Sequence, residues 1–374
     1  MNAELHTNTL LCPANATRHE TYRLAEEWHN GLVLRWHFAV PAKRKNANSC
    51  QVATELSADA AGGTGKQAFL YKSEAQRGRE WQALFAEWAP DLSFRIWPDA
   101  GDARDIRYLA VWDPPDRLTE RFPNLEVVFS IGAGVDQLDL SSIPESIPIV
   151  RMLDPGISAG IVEYVCMASL ALHRHLPDYI AAQRERRWAP IRLVPAASRR
   201  VGVMGLGNLG QAVVDRLGTF GFPRYGWSRT PRDISDVECF AGDDALSDFL
   251  AHCDILICML PLTPATRGIL NDRLFSALPA GASLINVGRG AQLCEQDLLK
   301  ALETGQVSNA ILDVMNEEPP PADHPFWHDP RILLTPHVAA MTQAESAAKA
   351  LLDNIRRHET GRPRLGVVDR AVGY

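Results

Sequence analysis

The chain lacks a long apolar run. Nowhere in its 374 residues do about 18 apolar residues follow one another, the length a helix needs to cross a bilayer. A membrane span is therefore not expected. A secretory leader is not expected either, because Met1 to Ala14 carry no basic segment followed by a long apolar stretch. There is no basic field. With 38 Lys and Arg against 45 Asp and Glu, the formal net charge is −7, which argues against general nucleic-acid binding. Cysteine pairing is missing as well. The seven cysteines (Cys12, Cys50, Cys166, Cys239, Cys253, Cys258 and Cys294) are odd in number and none stands in C-x-x-C spacing. Cys253, Cys258 and Cys294 lie in strongly apolar stretches that read as buried. Reduced thiols in a cytoplasmic protein are expected, rather than disulfides or a zinc site.

What is present is enough apolar material for two cores: 46% of the residues are hydrophobic, and the length suits two domains. Residues 1–66 stand apart as an atypical extension. Gly31 to Val40 has the composition of a strand, but the segment ends in the linker-like stretch Ser57 to Lys66. A phosphate-loop reading of Gly62-Gly-Thr-Gly-Lys66 fails, because Ala60 stands where a Gly is needed and Gln67 where a Ser or Thr is needed.

Regular alternation begins after that. Ala68–Tyr71, Ser93–Trp97, Tyr108–Trp112 and Leu125–Ile131 read as strands, and Arg77–Ala89 as an amphipathic helix. Ile161–Ala182 reads as one long helix from the spacing of Val162, Val165, Cys166, Ser169 and Leu170. A second series supplies strands at Val201–Met204, Arg224–Trp227, Ile255–Met259, Ser283–Asn286, Ala310–Leu312 and Ile332–Leu334, and Gln343–Glu359 reads as a closing helix. Strands alternating with helices predict an α/β protein with two doubly wound parallel sheets and a cleft between them. The expected division is 67–154 plus 342–374 for a substrate domain and 155–341 for a dinucleotide-binding domain.

Gly205-Leu-Gly207-Asn-Leu-Gly210 follows the strand Val201–Met204 and opens a helix. In that setting the G-x-G-x-x-G pattern predicts a dinucleotide site: a tight turn, a bare backbone for the pyrophosphate, and close packing of helix on strand. Asn208 and Leu209 complete the turn at a helix N-terminus, whose free N–H groups favour phosphate. The strand Arg224–Trp227 ends about where NAD enzymes place an acid for the ribose diol. Here the chain reads Ser228-Arg229-Thr230. A guanidinium flanked by hydroxyls suits a 2′-phosphate, so NADPH is expected, with NADH weaker.

Three further segments stand at strand ends: Asn286-Val287-Gly288-Arg289, Leu312-Asp313 with Glu318-Pro319, and Thr335-Pro-His337. Each alone reads as ordinary surface or turn chemistry. Together with the glycine motif, and in this order, they make the chain from about residue 67 onward resemble the D-isomer-specific 2-hydroxy-acid dehydrogenase family. Within it, Ala110-Val-Trp112-Asp-Pro-Pro115, Phe129 to Asp136, Trp227-Ser-Arg229 and Val368 to Tyr374 look like the bacterial glyoxylate/hydroxypyruvate reductase A subgroup.

The chemistry explains the residue types. A 2-oxo acid carries a carboxylate and a ketone that becomes an alkoxide as hydride arrives. Arg289 can bridge both with a fixed fork of donors. His337 can give the proton, and Glu318 can orient the ring and favour its charged form. Gly132-Ala133-Gly134 can offer backbone N–H groups to the substrate carboxylate. Trp112 reads either as a pocket wall or as a core residue. The resemblance implies the same catalytic roles. It adds nicotinamide contact for Asp313 and cofactor lining for Leu260, Pro261 and Thr263, with Val287 and Gly288 beside them, and it implies a homodimer. His173 and His175, at i and i+2, face different sides of a helix. His324, His328 and His337 lack metal-ligand spacing, and no metal is expected. Two rival readings remain: a reductase of bulkier 2-oxo acids, and a non-catalytic nucleotide-sensing protein on the same fold.

Overall fold

The computed structural model describes residues 67–373. The expected extension at 1–66, with its Gly31–Val40 strand, lies outside the described residues. Two sheets follow in chain order. β1 (Ala68–Lys72), β2 (Ser93–Ile96), β3 (Ile106–Val111), β4 (Val127–Ser130) and β5 (Ile149–Val150) form a five-stranded sheet in the order β2-β1-β3-β4-β5. β6 (Val201–Met204), β7 (Arg224–Ser228), β8 (Glu238–Ala241), β9 (Ile255–Cys258), β10 (Ala282–Asn286), β11 (Val307–Leu312) and β12 (Ile332–Leu334) form a seven-stranded sheet in the order β12-β11-β10-β9-β6-β7-β8. Every strand pairing in both sheets is parallel. The doubly wound α/β architecture expected from the alternation is therefore present, with strand order reversing at β6 and β9.

Parallel sheets are covered on both faces, so their strands read as nearly unbroken apolar runs. β9 shows how one such run serves two cores. Ile255 and Ile257 join Val201, Val203, Ile285 and Ile311 beneath α3 (Pro155–His173) and α5 (Asn208–Gly218). Leu256 and Cys258 point the other way, toward α6 (Leu246–Leu250), α7 (Asp272–Ala277) and α8 (Glu295–Thr304). In the first sheet, Phe69, Tyr71, Tyr108 and Phe129 pack with Trp81 and Phe85 of α1 (Ala75–Trp88) and with Leu351, Leu352 and Ile355 of α9 (Ala344–Glu359). The final helix thus returns to the first sheet. The opposite face is closed by Leu118 of α2 (Leu118–Arg121), Phe122, Ile143 and Val368. Each large side chain buried this way contributes about 1.5–3 kcal/mol.

The single helix expected from Ile161 to Ala182 is corrected to two. α3 starts earlier, where Asp154 caps it by accepting from Gly156 N and Pro155 occupies its first turn. It ends at His173. His175 then adopts φ +58°, and α4 (Leu176–Arg184) begins with Pro177 in its first turn. Proline has no N–H to continue a ladder and restricts the residue before it, so Leu176-Pro177 marks the break. His173 is accordingly buried on α3, whereas His175 lies outside any helix. By length and composition α3 is also apolar enough to cross a bilayer, with mean hydropathy 1.4 over its window. Glu163 interrupts its apolar run. Its apolar residues Ile161, Val165, Ala168 and Leu172 are used in packing against α5 and the sheet.

Candidate active site

The glycine motif lies at the end of β6, beside the point where strand order reverses. Gly205 has φ +103°, and a Cβ there would sit 2.9 Å from Met259 O. A Cβ on Gly210 would collide with Gly205 O, so α5 packs tightly on its own strand. Gly207 differs: among the described residues, no packing neighbour lies within 4 Å of the Cβ it lacks. The protein's own packing does not demand glycine at 207, whereas a ligand approaching the backbone would. Gly207 is also the N-cap of α5, with no side-chain cap. The first-turn N–H groups, including those of Asn208 and Leu209, have no intrahelical acceptor. This end of the sheet fits a dinucleotide pyrophosphate.

At the end of β7, Ser228 is 8% exposed and donates its hydroxyl proton to Thr230 O at 2.7 Å. It shapes the turn with the one proton it has to give. Arg229 and Thr230 are exposed beyond it. The loop after β9 is held from below. Gln292 Nε2 donates to Leu260 O at 2.8 Å and to Pro261 O at 3.2 Å, and Thr263 N donates to Thr266 Oγ1 at 2.8 Å.

Arg289 is presented by a turn built from two fully buried amides. Asn286 Oδ1 accepts from Gly288 N and its Nδ2 donates to Arg289 O, while Gln292 Oε1 accepts from Arg289 N. Val287 N donates to Cys258 O. The guanidinium then reaches across to the loop after β4. Its Nε donates to Asp136 Oδ1 at 2.9 Å and Oδ2 at 3.0 Å, and Nη1 donates to Gly288 O at 2.8 Å. Nη2 lies so close to Gly134 that no side chain fits between them. The loop itself is tied by Ser130, whose Oγ donates to Gly134 O at 2.8 Å and accepts from Gly132 N at 3.2 Å. Of the expected anion-binding turn, the Gly132 N–H is therefore engaged internally. Among the described residues, the N–H groups of Ala133 and Gly134 have no protein acceptor. Trp112 is 42% exposed and its Cζ3 would be 3.3 Å from a Cβ on Gly132. Of the two readings left open for it, the core one is excluded.

His337 Nδ1 lies 2.8 Å from Glu318 Oε2, with 37% of each side chain exposed. Glu318 Oε1 accepts from Met315 N at 2.9 Å. With Nδ1 engaged, Nε2 is the nitrogen left to donate. The Glu318 hydrogen bond raises the His337 pKa above the ordinary imidazole value. Burial and the Arg289 charge pull against it, and the Glu318 and Asp313 charges add to it. Burial alone would raise the Glu318 pKa. Bonds from His337 and Met315 N, with the His337 and Arg289 charges, outweigh burial and hold it low. Both shifts favour a carboxylate beside an imidazolium. Asp313 is 2% exposed and both its carboxylate oxygens accept bonds from the segment that carries His337.

The chain is 40% identical over 302 residues to glyoxylate/hydroxypyruvate reductase A of Yersinia enterocolitica, covering 79% of this chain and 96% of that protein. A model described as the D-isomer specific 2-hydroxyacid dehydrogenase NAD-binding domain matches residues 166–339. The chain belongs to the D-isomer-specific 2-hydroxyacid dehydrogenase family. Two solved dehydrogenases of this kind share its architecture. One, from Xanthobacter autotrophicus Py2 in complex with NADPH and MES, has TM-score 0.79 at 40% identity, with 83% of this chain and 100% of that one covered. The other is an NADPH-dependent glyoxylate/hydroxypyruvate reductase from Sinorhizobium meliloti, in complex with NADP and sulfate. It has TM-score 0.77 at 35% identity, with 83% and 100% covered.

Within this dehydrogenase frame, Arg289 meets the 132–134 turn and its charge acts on the His337–Glu318 pair. Asp136, Gln292 and Ser130 carry no motif of their own, and Asn286 stands in a motif without its role as a brace for the turn. Asp136 closes the Phe129–Asp136 segment, but nothing in that segment names Arg289 as its partner.

Proposed function

We propose that this chain is an NADPH-dependent reductase of small 2-oxo acids. It takes glyoxylate to glycolate and hydroxypyruvate to D-glycerate, with Arg289, His337 and Glu318 as the catalytic group. The carrying observation is the meeting of Arg289 with the 132–134 turn, beside the His337–Glu318 pair. Close likeness to glyoxylate/hydroxypyruvate reductase A supports the substrate class. The substrate carboxylate is taken by the N–H groups of Ala133 and Gly134 and by the guanidinium. Arg289 also polarises the ketone oxygen, stabilising the charge that develops there. The nicotinamide, when bound, supplies the hydride. His337 Nε2 gives the proton to the nascent alkoxide, and Glu318 holds the imidazolium that must stand ready. Trp112 walls the substrate side.

Residues 67–154 with 342–374 make the substrate half, and 155–341 the nucleotide half. Arg229 selects NADPH over NADH through the 2′-phosphate, and the solved relatives that hold NADPH or NADP support this. The family resemblance supports a homodimer. The five described cysteines, all free, support a cytoplasmic place. Loss of NADPH absorbance with purified protein tests the proposal. Turnover with glyoxylate and hydroxypyruvate is expected, and slower turnover with NADH. NADPH binding without turnover of any 2-oxo acid would make the chain a nucleotide sensor. A strong preference for a phenylpyruvate-like acid would move it to bulkier substrates.

A further inference from the structure

His337 occupies a backbone conformation that a residue with a Cβ adopts infrequently, φ +54°. Something must hold it there. The turn Thr335–Ala339 is wrapped around Asp313. His337 N donates to Asp313 O at 2.8 Å. Val338 N and Ala339 N donate to the two carboxylate oxygens, each at 2.9 Å. Thr335 Oγ1 donates to Oδ1 at 2.6 Å. Thr335 has one hydroxyl proton, and it goes to Asp313. The 2.5 Å contact between Thr335 Oγ1 and Tyr164 Oη is therefore donated by the tyrosine. Tyr164 is buried on α3, and burial pushes its pKa up to about 12. It stays a donor across any working pH.

We propose that Tyr164 and Thr335 are positioning residues for His337. The chain Tyr164–Thr335–Asp313 anchors the catalytic turn to α3 and keeps the imidazole in register with Glu318. This rests on the reading of His337 as proton donor. A phenol, a hydroxyl and a carboxylate in series are what a strained turn needs: directional bonds that no apolar packing supplies. Glu318, Asp313 and Arg289 are the charged groups that act on the ring. The chain governs only how the ring meets them.

The test uses the full-length protein with Thr335→Val, Thr335→Ser and Tyr164→Phe. In Thr335→Val, kcat for glyoxylate reduction is expected to fall about 10- to 100-fold, since small misplacements of reacting groups cost that much. KM for glyoxylate and Kd for NADPH should hold. Thr335→Ser, which keeps the hydroxyl, should recover most of the loss. Tyr164→Phe should lower kcat several-fold without altering NADPH binding. In parallel, the Nδ1 proton of His337 is followed by NMR, assigned by its absence in His337→Ala. It should be present in the wild type, weakened in Thr335→Val and restored in Thr335→Ser.

Wild-type kcat in Thr335→Val, or serine as impaired as valine, would overturn the proposal. If Thr335→Val does not fold, Tyr164→Phe decides, and an unchanged kcat and Nδ1 signal there reject the chain. A wild type that reduces no 2-oxo acid would count against the proposed function alone, because the NMR signal still reads the turn.

Discussion

Alanine at position 134 probes the substrate side of the site without replacing a charged group. Gly134 is not in the left-handed region, so its backbone accepts a side chain. The added Cβ would overlap Arg289 Nη2, and would lie 2.8 Å from Asp136 Oδ1 and 3.2 Å from Arg289 Cζ. These are ends of flexible side chains, not backbone, so the fold is not what yields. The guanidinium retreats instead, by about an ångström, to reach ordinary contact. A shift of that size at a reacting group costs about 10²-fold. The same answer comes from losing one charge-assisted hydrogen bond, about 1.5–3 kcal/mol, or one to two decades at roughly 1.4 kcal/mol each. We therefore expect kcat/KM for glyoxylate to fall roughly 10- to 100-fold. NADPH affinity and Tm should stay as in the wild type. Steady-state NADPH oxidation, cofactor fluorescence and thermal melting check the three quantities. A folded Gly134→Ala enzyme with undiminished kcat/KM would refute the account of how Arg289 is seated. A loss that tracked weakened NADPH binding would refute its locality.

The companion substitution Gly207→Ala meets no packing neighbour among the described residues, so Tm should hold while KM for NADPH rises. An unchanged KM would deny that a phosphate approaches that backbone. Gly210→Ala runs into Gly205 O and should cost stability, about 1–3 kcal/mol or more as overpacking does, read as a lowered Tm. In Glu318→Gln, the largest support for the imidazolium is removed. Reduction needs His337 protonated, so its rate falls as pH rises through that raised pKa. The fall should move to lower pH in the variant, and an identical pH–rate profile would show that Glu318 does not act on the ring. Arg229→Ala should raise KM for NADPH about tenfold, since a charge-assisted bond contributes about 1.5–3 kcal/mol, and leave NADH kinetics little changed. Equal losses with both cofactors would deny the 2′-phosphate contact.

Much of the fold was legible because burial writes a periodic signature. The run Ile255-Leu-Ile-Cys258 is apolar at every position, and the structure sends alternate residues to two different cores. Glycines with one backbone requirement each were equally legible at 205 and 210. Other elements left fainter traces. β8, Glu-Cys-Phe-Ala at the sheet edge, is at most half-buried, so it carries no apolar run. Pro177 lies inside the stretch expected as one helix, and the spacing of Val162 to Leu170 before it carried that expectation past the break. The site was legible where chemistry dictates a residue type, as at Arg289 and His337. It was not legible where a role depends on a distant partner. Asp136 meets Arg289 from 153 residues away, and Tyr164 meets Thr335 from 171. Spacing along the chain cannot reveal such pairs, because the fold alone brings them together.

The return of α9 to the first sheet has a consequence during synthesis. The aromatic face of Phe69, Tyr71, Trp81 and Phe85 emerges from the ribosome early, but Leu351, Leu352 and Ile355, which complete it, emerge only after the second sheet. At about 5–20 residues per second, that face waits on the order of tens of seconds for its cover. Meanwhile the whole seven-stranded sheet is translated and can close on its own helices. The second sheet in the chain is thus the first able to finish, and the first sheet to begin is the last to be sealed. We expect nascent chains halted before α9 to hold a protease-resistant nucleotide half and to engage chaperones through the uncovered aromatics.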